Sequence, residues 1–174
     1  LREAGIEDFV ILDQAGEPGG TWRDNTYPGC ACDIPSVLYS FSFAPNPGWS
    51  RAFAPQVEIQ QYVWDVARET GALEHLRPDC EVRSAAWTGD LWQLDTSQGN
   101  IEARSIIAGT GPWHEPKLPD LPGLADFKGE VFHSSRWNHE VDLRGRRVAV
   151  IGTGASAVQF VPEIAPEVGQ LTVF

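Results

Sequence analysis

A run of small residues near the end of the sequence has the spacing of a phosphate-binding turn. Residues 152–157, GTGASA, follow the apolar stretch 147–151 and precede a helical pattern that extends to about residue 165. The order G-x-G-x-x-G/A between a strand and a helix leaves backbone amides and the positive end of the helix dipole open to a pyrophosphate. A turn that only packs the helix on the strand is the alternative, but the context favours a dinucleotide-binding βαβ unit.

An acidic residue near the start of the sequence has the position of a ribose ligand. Asp13 directly follows residues 9–12, which predict a short buried strand, and residues 1–4 with Gly5 predict the last turn of a helix. In a dinucleotide-binding unit the carboxylate that hydrogen-bonds the ribose lies about 20 residues after the glycine-rich turn. The matching turn would therefore precede residue 1. In the later unit, the residue that distinguishes NAD from NADP would lie at or just beyond Phe174.

Composition argues against several other classes of protein. The 174 residues contain 13 Lys and Arg against 24 Asp and Glu, a net charge of -11, which opposes binding to nucleic acid or to an anionic membrane surface. No apolar run approaches the roughly 20 residues that span a bilayer, so a soluble, cytoplasmic protein is predicted. Cys30, Cys32 and Cys80 predict reduced thiols and no metal site, because Cys-x-Cys without a second Cys or His cluster is a poor zinc site.

Helix, strand and loop patterns fill the sequence between Asp13 and the glycine-rich turn. Apolar side chains recur at helical spacing over 56–70, between Pro55 and Gly71, and predict a surface helix. Residues 37–43 predict a strand or an extended loop. A β-meander is predicted from strands at 81–87, 91–96 and 101–108, joined by turns at 88–90 and 97–100.

The later part of the sequence predicts a crossing between domains and then a second βαβ unit. The loop-rich stretch 109–122 is the expected crossing. Residues 147–151 and 171–174 predict two strands. Pro162 is expected to bend or shorten the helix between them.

Three ordered motifs resemble one known family. GGTW at 19–22, followed by YPGCACD at 27–33 and YSFSF at 39–43, resembles the flavin-side segment of class B flavoprotein monooxygenases. FKGEVFHSSRWN at 127–138 matches F-x-G-x-x-x-H-x-x-x-W, the pattern that marks Baeyer–Villiger monooxygenases, and the glycine-rich turn follows it. The sequence is therefore identified as a partial member of that family. It departs from the family at Asn138, where Pro or Asp is usual, at Asp13, where Glu is common, and at Ala31, where many relatives have Arg.

The resemblance implies an α/β fold with two Rossmann-like dinucleotide-binding domains, one for FAD and one for NADPH, an inserted β-meander, and truncation at both ends. Residues 1–112 would be part of the FAD-binding domain without its first strand and glycine-rich turn. Residues 113–145 would be the linker that carries the F-x-G-x-x-x-H-x-x-x-W motif, and 146–174 the start of the NADPH-binding domain. We hypothesise that the sequence comes from a protein of several hundred residues and is inactive by itself.

Family roles carry over only at matching positions. The residues expected at the flavin are Asp13, Gly20, Thr21, Trp22, Asp33, Tyr39 and Val82. Those expected at NADPH are Ala31, Cys32, Gly152, Thr153, Gly154, Ala155, Ser156, Ala157 and Gln159. Asp33 resembles the acid placed between flavin and nicotinamide, and Asp33, His133 and Trp137 are the expected support residues for catalysis. For His133, positioning or domain motion is favoured over direct proton transfer, and the family's charge-stabilising arginine would lie beyond Phe174.

The implied activity is insertion of one oxygen atom of O₂ into a ketone, giving an ester or a lactone. In the family NADPH reduces FAD, O₂ adds to the reduced flavin, and the resulting peroxyflavin attacks the carbonyl. The implied partners are a small ketone and O₂, with no nucleic acid, membrane or protein partner. An N- or S-oxygenating flavin monooxygenase is the nearest alternative, which Trp137 disfavours. A flavin or disulfide reductase is another, which the pair Cys30 and Cys32 fits poorly because such enzymes use wider cysteine spacings.

Overall fold

The computed structural model describes residues 1–174, apart from the side chain of Glu3, as an α/β chain. Its α-helices are α1 (Thr21–Asp24), α2 (Gln56–Glu69) and α3 (Ala155–Ile164). Its strands are β1 (Ile11–Leu12), β2 (Leu76–Arg77), β3 (Val82–Trp87), β4 (Trp92–Thr96), β5 (Gly99–Ala103), β6 (Arg147–Val150) and β7 (Gln170–Val173). Short 3-10 turns lie at Arg2–Ala4, Ser36–Leu38, Ala72–His75, Leu124–Asp126 and Ser134–Arg136. No helix among the described residues is long and apolar enough to cross a bilayer.

Contacts divide the chain into two compact units. Unit 1 comprises Leu1–Gly19 and Tyr62–Thr110, and unit 2 comprises Gly20–Gln61 and Gly111–Phe174. The chain passes between the units at three places: between Gly19 and Gly20, within α2, and inside the loop-rich stretch 109–122. The boundaries predicted from the sequence, at 1–112 for the FAD-binding part, 113–145 for the linker and 146–174 for the start of the NADPH-binding part, stay a prediction.

Unit 1 contains the predicted β-meander, in which β3, β4 and β5 pair in antiparallel order. Thr96 lies opposite Gly99, so a two-residue turn joins β4 to β5, and the Thr96 hydroxyl closes this turn by donating to the Gly99 carbonyl at 2.5 Å. The prediction of a third strand at 101–108 is wrong at both ends. The strand begins earlier because the turn is tighter, and it ends at Ala103 because that residue already faces Trp92, the first residue of β4.

The first strand of unit 1 is shorter and more exposed than predicted. β1 contains only Ile11 and Leu12, which pair in parallel with β2. Val10 and Ile11 are 41% and 38% exposed, so the prediction of a buried strand at 9–12 is wrong for this chain. A parallel strand is buried when other layers cover both of its faces, and β2 is the strand that pairs with it here. The predicted helical turn before Gly5 is confirmed as a 3-10 turn, with Gly5 in the left-handed conformation at φ 73°.

Unit 2 contains the predicted second βαβ unit. β6 and β7 pair in parallel with Val150 opposite Val173, and α3 connects them. Phe160 and Ile164 of α3 are buried in one hydrophobic cluster with Val150. The predicted strands at 147–151 and 171–174 are confirmed to within one residue.

The proline in α3 does not shorten the helix. α3 passes through Pro162 and ends at Ile164, one residue before the predicted end. Pro162 removes a single backbone donor near the end of the helix. The buried side chains of Phe160 and Ile164 on either side hold this turn in the core.

The segment 20–61 of unit 2 is mostly loop until α2 begins. Residues 37–43 form the end of a 3-10 turn, a bend and a tight turn closed by a single bridge between Phe41 and Ala44. The strand alternative is therefore wrong, and the segment is a loop of tight turns, not an extended one. Ser36 is buried, donates to the Ala52 carbonyl and accepts from the Ala54 amide, which ties the loop together. The predicted helix at 56–70 is confirmed as α2.

Candidate functional site

The glycine-rich turn of unit 2 is open to a ligand. Gly152 has φ 108°, Gly154 is the N-cap of α3, and a Cβ built at either position would meet nothing within 4 Å. Thr153 and Ala155 are also exposed. Because the first amides of a helix have no acceptor inside it, the turn presents donors that could hold a phosphate oxygen.

The remaining small residues of the turn lie closer to the hydrophobic core. Ala157 is 8% exposed and belongs to the cluster that contains Val150 and Phe160. In G-x-G-x-x-G/A the last small residue allows close packing of helix on strand, and Ala157 has that role here. Ser156 is half-buried, so it lies between the exposed and the buried part of the turn.

Gln159 faces another part of unit 2. Its Nε2 donates to the Ala31 carbonyl at 2.9 Å, and its Oε1 accepts from the Ala31 amide at 3.3 Å and from the Tyr27 hydroxyl at 2.9 Å. The sequence expectation placed Gln159 at the NADPH phosphates. In the structure its amide holds the loop 27–33.

That loop carries Ala31, Cys32 and Asp33 on a backbone anchored at several points. Ala31 bridges to Pro55, and the Cys32 amide donates to the Ala54 carbonyl at 2.9 Å. Cys32 is 2% exposed, whereas the neighbouring Asp33 is exposed. The loop therefore buries the thiol and presents the carboxylate to solvent.

The cysteines are free thiols, as predicted. Burial raises the pKa of the Cys30 thiol above its ordinary value, and a hydrogen bond with Tyr27 opposes that rise in part. A raised pKa keeps the thiol protonated and weakly nucleophilic. Cys30 is therefore poorly suited to thiol and disulfide exchange.

The segment that resembles a flavin site brings two aromatic residues together. Trp22 Nε1 donates to the Tyr39 hydroxyl at 2.8 Å, and the two rings lie edge to face with centroids 5.5 Å apart. Gln56 Nε2 donates to the Trp22 carbonyl, which anchors α1 to the start of α2. Gly20 caps α1 at φ 51°, and Thr21 beside it is exposed. The predicted residues Gly20, Thr21, Trp22 and Tyr39 thus form one local group.

Two further predicted flavin residues lie in unit 1. Asp13 directly follows β1, accepts from the Ala15 amide at 2.9 Å through its side chain, and is half-buried. Val82 begins β3 at a register irregularity and is 43% exposed. Asp13 lies at the end of a strand and Val82 lies within the strand predicted at 81–87, as the sequence predicted.

The F-x-G-x-x-x-H-x-x-x-W segment is held by its own side chains. His133 is the N-cap of the turn Ser134–Arg136: its Nδ1 accepts from the Ser135 amide at 3.1 Å and lies 2.9 Å from the Ser135 hydroxyl. Trp137 packs on Phe132 and on Phe160, with centroids 5.3 and 5.2 Å apart. These contacts hold the backbone of residues 132–137 in place.

Three contacts that the sequence did not predict fasten the motif segment within unit 2. Arg136 donates to the His114 carbonyl at 2.9 Å and lies 3.9 Å from the Asp24 carboxylate. His139 Nε2 lies 2.8 Å from the Thr26 hydroxyl. No sequence pattern marks these pairs, because each joins residues more than twenty positions apart.

The chain matches known proteins over most of its length. The family described as Pyridine nucleotide-disulphide oxidoreductase matches residues 31–174. A Baeyer–Villiger monooxygenase of Streptomyces coelicolor is 56% identical over 176 residues, which cover 100% of this chain and 34% of that protein. A Baeyer–Villiger monooxygenase of Pseudomonas aeruginosa is 48% identical over 177 residues, with the same coverage of 100% and 34%.

The fold is also similar to solved structures. A structure of OTEMO in complex with FAD and NADP superimposes with a TM-score of 0.89 at 35% identity, covering 99% of this chain and 35% of that one. This chain spans about a third of the length of the curated relatives that it matches. The chain belongs to the pyridine nucleotide-disulphide oxidoreductase family, and its homologues along its whole length include Baeyer–Villiger monooxygenases, as the motifs predicted.

Proposed function

We propose that this chain is the cofactor-binding part of an FAD- and NADPH-dependent monooxygenase that converts a ketone and O₂ into an ester or a lactone. The observation that carries the proposal is the packing of Trp137 on Phe160 at 5.2 Å. It joins the motif that resembles Baeyer–Villiger monooxygenases to α3, the helix that starts at the glycine-rich turn. The 56% identity to a protein named Baeyer–Villiger monooxygenase supports it.

The glycine-rich turn fits a dinucleotide pyrophosphate. The exposed residues 152–155 have no side chain larger than threonine, and a Cβ at Gly152 or Gly154 would meet no atom within 4 Å. Phosphate oxygens can therefore approach the amides at the start of α3. In this proposal Gly152, Thr153, Gly154, Ala155 and Ser156 hold the phosphates, and Ala157 supports them from the core.

Each unit contains residues that are proposed to contact the flavin. In unit 1, Asp13 offers a carboxylate to ribose hydroxyls, and Val82 offers backbone groups to an adenine edge. In unit 2, the Trp22 ring is fixed by its bond to Tyr39 and offers a planar apolar face beside Gly20. When bound, the flavin supplies activation of O₂ and the nicotinamide supplies the hydride.

Other residues of the chain would contact the cofactors or hold the motif segment in position. Asp33 has an exposed carboxylate on an anchored loop, which suits a polar contact with a carboxamide or a flavin edge. Trp137 and His133 hold the motif segment in place. We also propose a cytoplasmic location. The net charge of -11 opposes binding to polyanions, so no nucleic acid or anionic membrane partner is proposed.

Two rival activities are less well supported. An N- or S-oxygenating monooxygenase would share the same cofactors, and Trp137 of the motif is the residue that argues against it. A disulfide reductase requires a thiol of lowered pKa, whereas burial raises the pKa of Cys30. The family match over residues 31–174 includes disulfide oxidoreductases in its description, but the relatives that match the whole chain at 48–56% identity are named Baeyer–Villiger monooxygenases.

Product analysis on the longest natural protein that carries this chain tests the proposal. NADPH consumption under air would be followed with cyclic, linear and aromatic ketones and, in parallel, with a thioether. Ester or lactone formation coupled to NADPH loss is the expected result. Sulfoxide formation with untouched ketones would assign the protein to the N- and S-oxygenating class. Absence of NADPH oxidation would overturn both the proposed activity and this alternative.

A further inference from the structure

The side-chain amide of Gln159 is bonded to the backbone of one residue. It donates to the carbonyl of Ala31 and accepts from the amide of the same residue, as a neighbouring β-strand residue would. Its Oε1 accepts a second bond from the Tyr27 hydroxyl. An amide oxygen has two lone pairs, so both acceptor sites of Gln159 are used inside unit 2.

The loop also lies against α3 through its backbone. Gly29 has φ +73°, and a Cβ built there would be 2.9 Å from the Gln159 carbonyl oxygen and 2.8 Å from Glu163 Cγ. Only glycine fits this approach without displacing the helix. Tyr27 is 7% exposed and packs edge to face on Phe160 at 6.0 Å. Burial raises the pKa of Tyr27 to about 12, so its hydroxyl remains a donor well above neutral pH.

These contacts join two parts of the proposed nicotinamide site. α3 begins at the glycine-rich turn, and the loop 27–33 that Gln159 holds ends with Cys32 and Asp33. The other side of the loop is anchored by the Cys32 amide, which donates to the Ala54 carbonyl at 2.9 Å. Gln159 therefore connects the proposed phosphate end of the site to its proposed nicotinamide end.

We propose that Gln159 is a positioning residue that clamps the loop 27–33 to α3 and sets where Ala31, Cys32 and Asp33 meet the nicotinamide. This inference rests on the proposed function, and it replaces the expectation that Gln159 contacts the NADPH phosphates. Loss of the clamp leaves the phosphate turn intact and loosens the loop. The rate of hydride transfer should then fall while the affinity for NADPH is retained.

The test uses Gln159→Met in the longest natural protein that carries this chain. Methionine has similar length and helix propensity to glutamine but cannot bond both backbone groups of Ala31. The matched control is Gln98→Met, because Gln98 also donates to a backbone carbonyl, that of Pro78, at 2.9 Å, and has no proposed role. Thermal unfolding establishes that both variants fold.

Hydrogen exchange without cofactor is the first readout. Gln159→Met should accelerate exchange of the Ala31 amide and of the peptide 27–33, and Gln98→Met should leave this peptide unchanged. Unchanged exchange in Gln159→Met would overturn the clamp. Should that variant fail to fold, Tyr27→Phe, which removes one of the three bonds, must show the same change to a smaller degree or the proposal fails.

Anaerobic reduction of bound flavin by NADPH is the second readout. We expect the limiting rate constant of Gln159→Met to fall about 10- to 100-fold, as for a small misplacement of reacting groups, with an unchanged Kd for NADPH. A raised Kd with an unchanged rate constant would overturn the clamp in favour of a phosphate contact. Failure of the unmodified protein to bind flavin or to be reduced would refute the proposed function and is distinct from either result.

Discussion

Tyr27 is a residue whose ionisation depends on packing. Its side chain is buried, its hydroxyl donates to Gln159, and burial raises its pKa to about 12 from an ordinary value of 10.0. The folded protein therefore keeps this proton at a pH where the unfolded chain loses it. Between about pH 10 and pH 12 the unfolded state binds fewer protons, so the free energy of unfolding falls as the pH rises.

Substitution of Tyr27 by phenylalanine should remove this pH dependence. A late phase of tyrosine ionisation should appear in an absorbance titration of the wild-type protein and should be absent from Tyr27→Phe. Urea unfolding at pH 9 and pH 11 provides the second measurement, in which the variant should lose less stability than the wild type. An unchanged late phase in the variant would show that another tyrosine produces it.

His133 illustrates how a residue type can suggest a role that the local geometry does not favour. An imidazole in a family motif invites a role in proton transfer. In the structure its Nδ1 accepts from the Ser135 amide and so caps a turn. Proton transfer through Nδ1 would require that bond to break, which favours the positioning role.

At the scale of elements, the loop 27–33 and α3 depend on each other. Tyr27 and Phe160 share one hydrophobic cluster, and Gly29 lies where the loop backbone meets the helix. This arrangement requires both a left-handed backbone and the absence of a side chain at Gly29. The two requirements can be separated by comparing Gly29 with another glycine of positive φ.

Gly29→Ala should destabilise the protein more than Gly123→Ala. Gly123 has φ +85° and open space where a Cβ would be added, so its substitution measures backbone strain alone, about 1 kcal/mol. At Gly29 the added Cβ also meets backbone of α3, and overpacking adds about 1–3 kcal/mol. Urea unfolding of both variants measures the difference. Equal losses would mean that the loop does not approach the helix as closely as described.

At the scale of the whole molecule, many large apolar side chains are exposed. Among the described residues, Val37 and Ile107 are each 78% exposed and Phe174 is 70% exposed, and the exposed large apolar side chains outnumber the buried ones. Extensive exposed apolar surface marks sites that contact other protein segments, ligands or membranes. The relatives are about three times as long, so a protein of their length has further chain available to cover these residues.

Residues 1–174 produced alone should therefore bind a hydrophobic dye and should not oxidise NADPH. The longest natural protein that carries this chain should bind the dye weakly under the same conditions. Fluorescence with 8-anilinonaphthalene-1-sulfonate and absorbance of NADPH are the measurements. Weak dye binding together with NADPH oxidation by the 174-residue chain would show that it is sufficient by itself.

The sequence by itself determined the elements that depend on local patterns. Helical spacing between Pro55 and Gly71 predicted α2, and alternation between turn residues predicted the β-meander. The order of strand, GTGASA and helix predicted the βαβ unit of unit 2, and the motif at 127–138 predicted the family. Each of these is a property of neighbouring residues, so it can be recognised without knowledge of distant contacts.

Only the tertiary structure decided the features that depend on residues far apart in the chain. The end of β5 was set by the length of its partner β4. The exposure of β1 was set by its pairing with β2 and by the lack of burial of Val10 and Ile11. Gln159 lies two residues after the glycine-rich turn, but its amide bonds Ala31, 128 positions away. The sequence shows which groups can donate and accept, and folding selects the partners, because a half-buried amide must bond whatever polar group the packing brings to it.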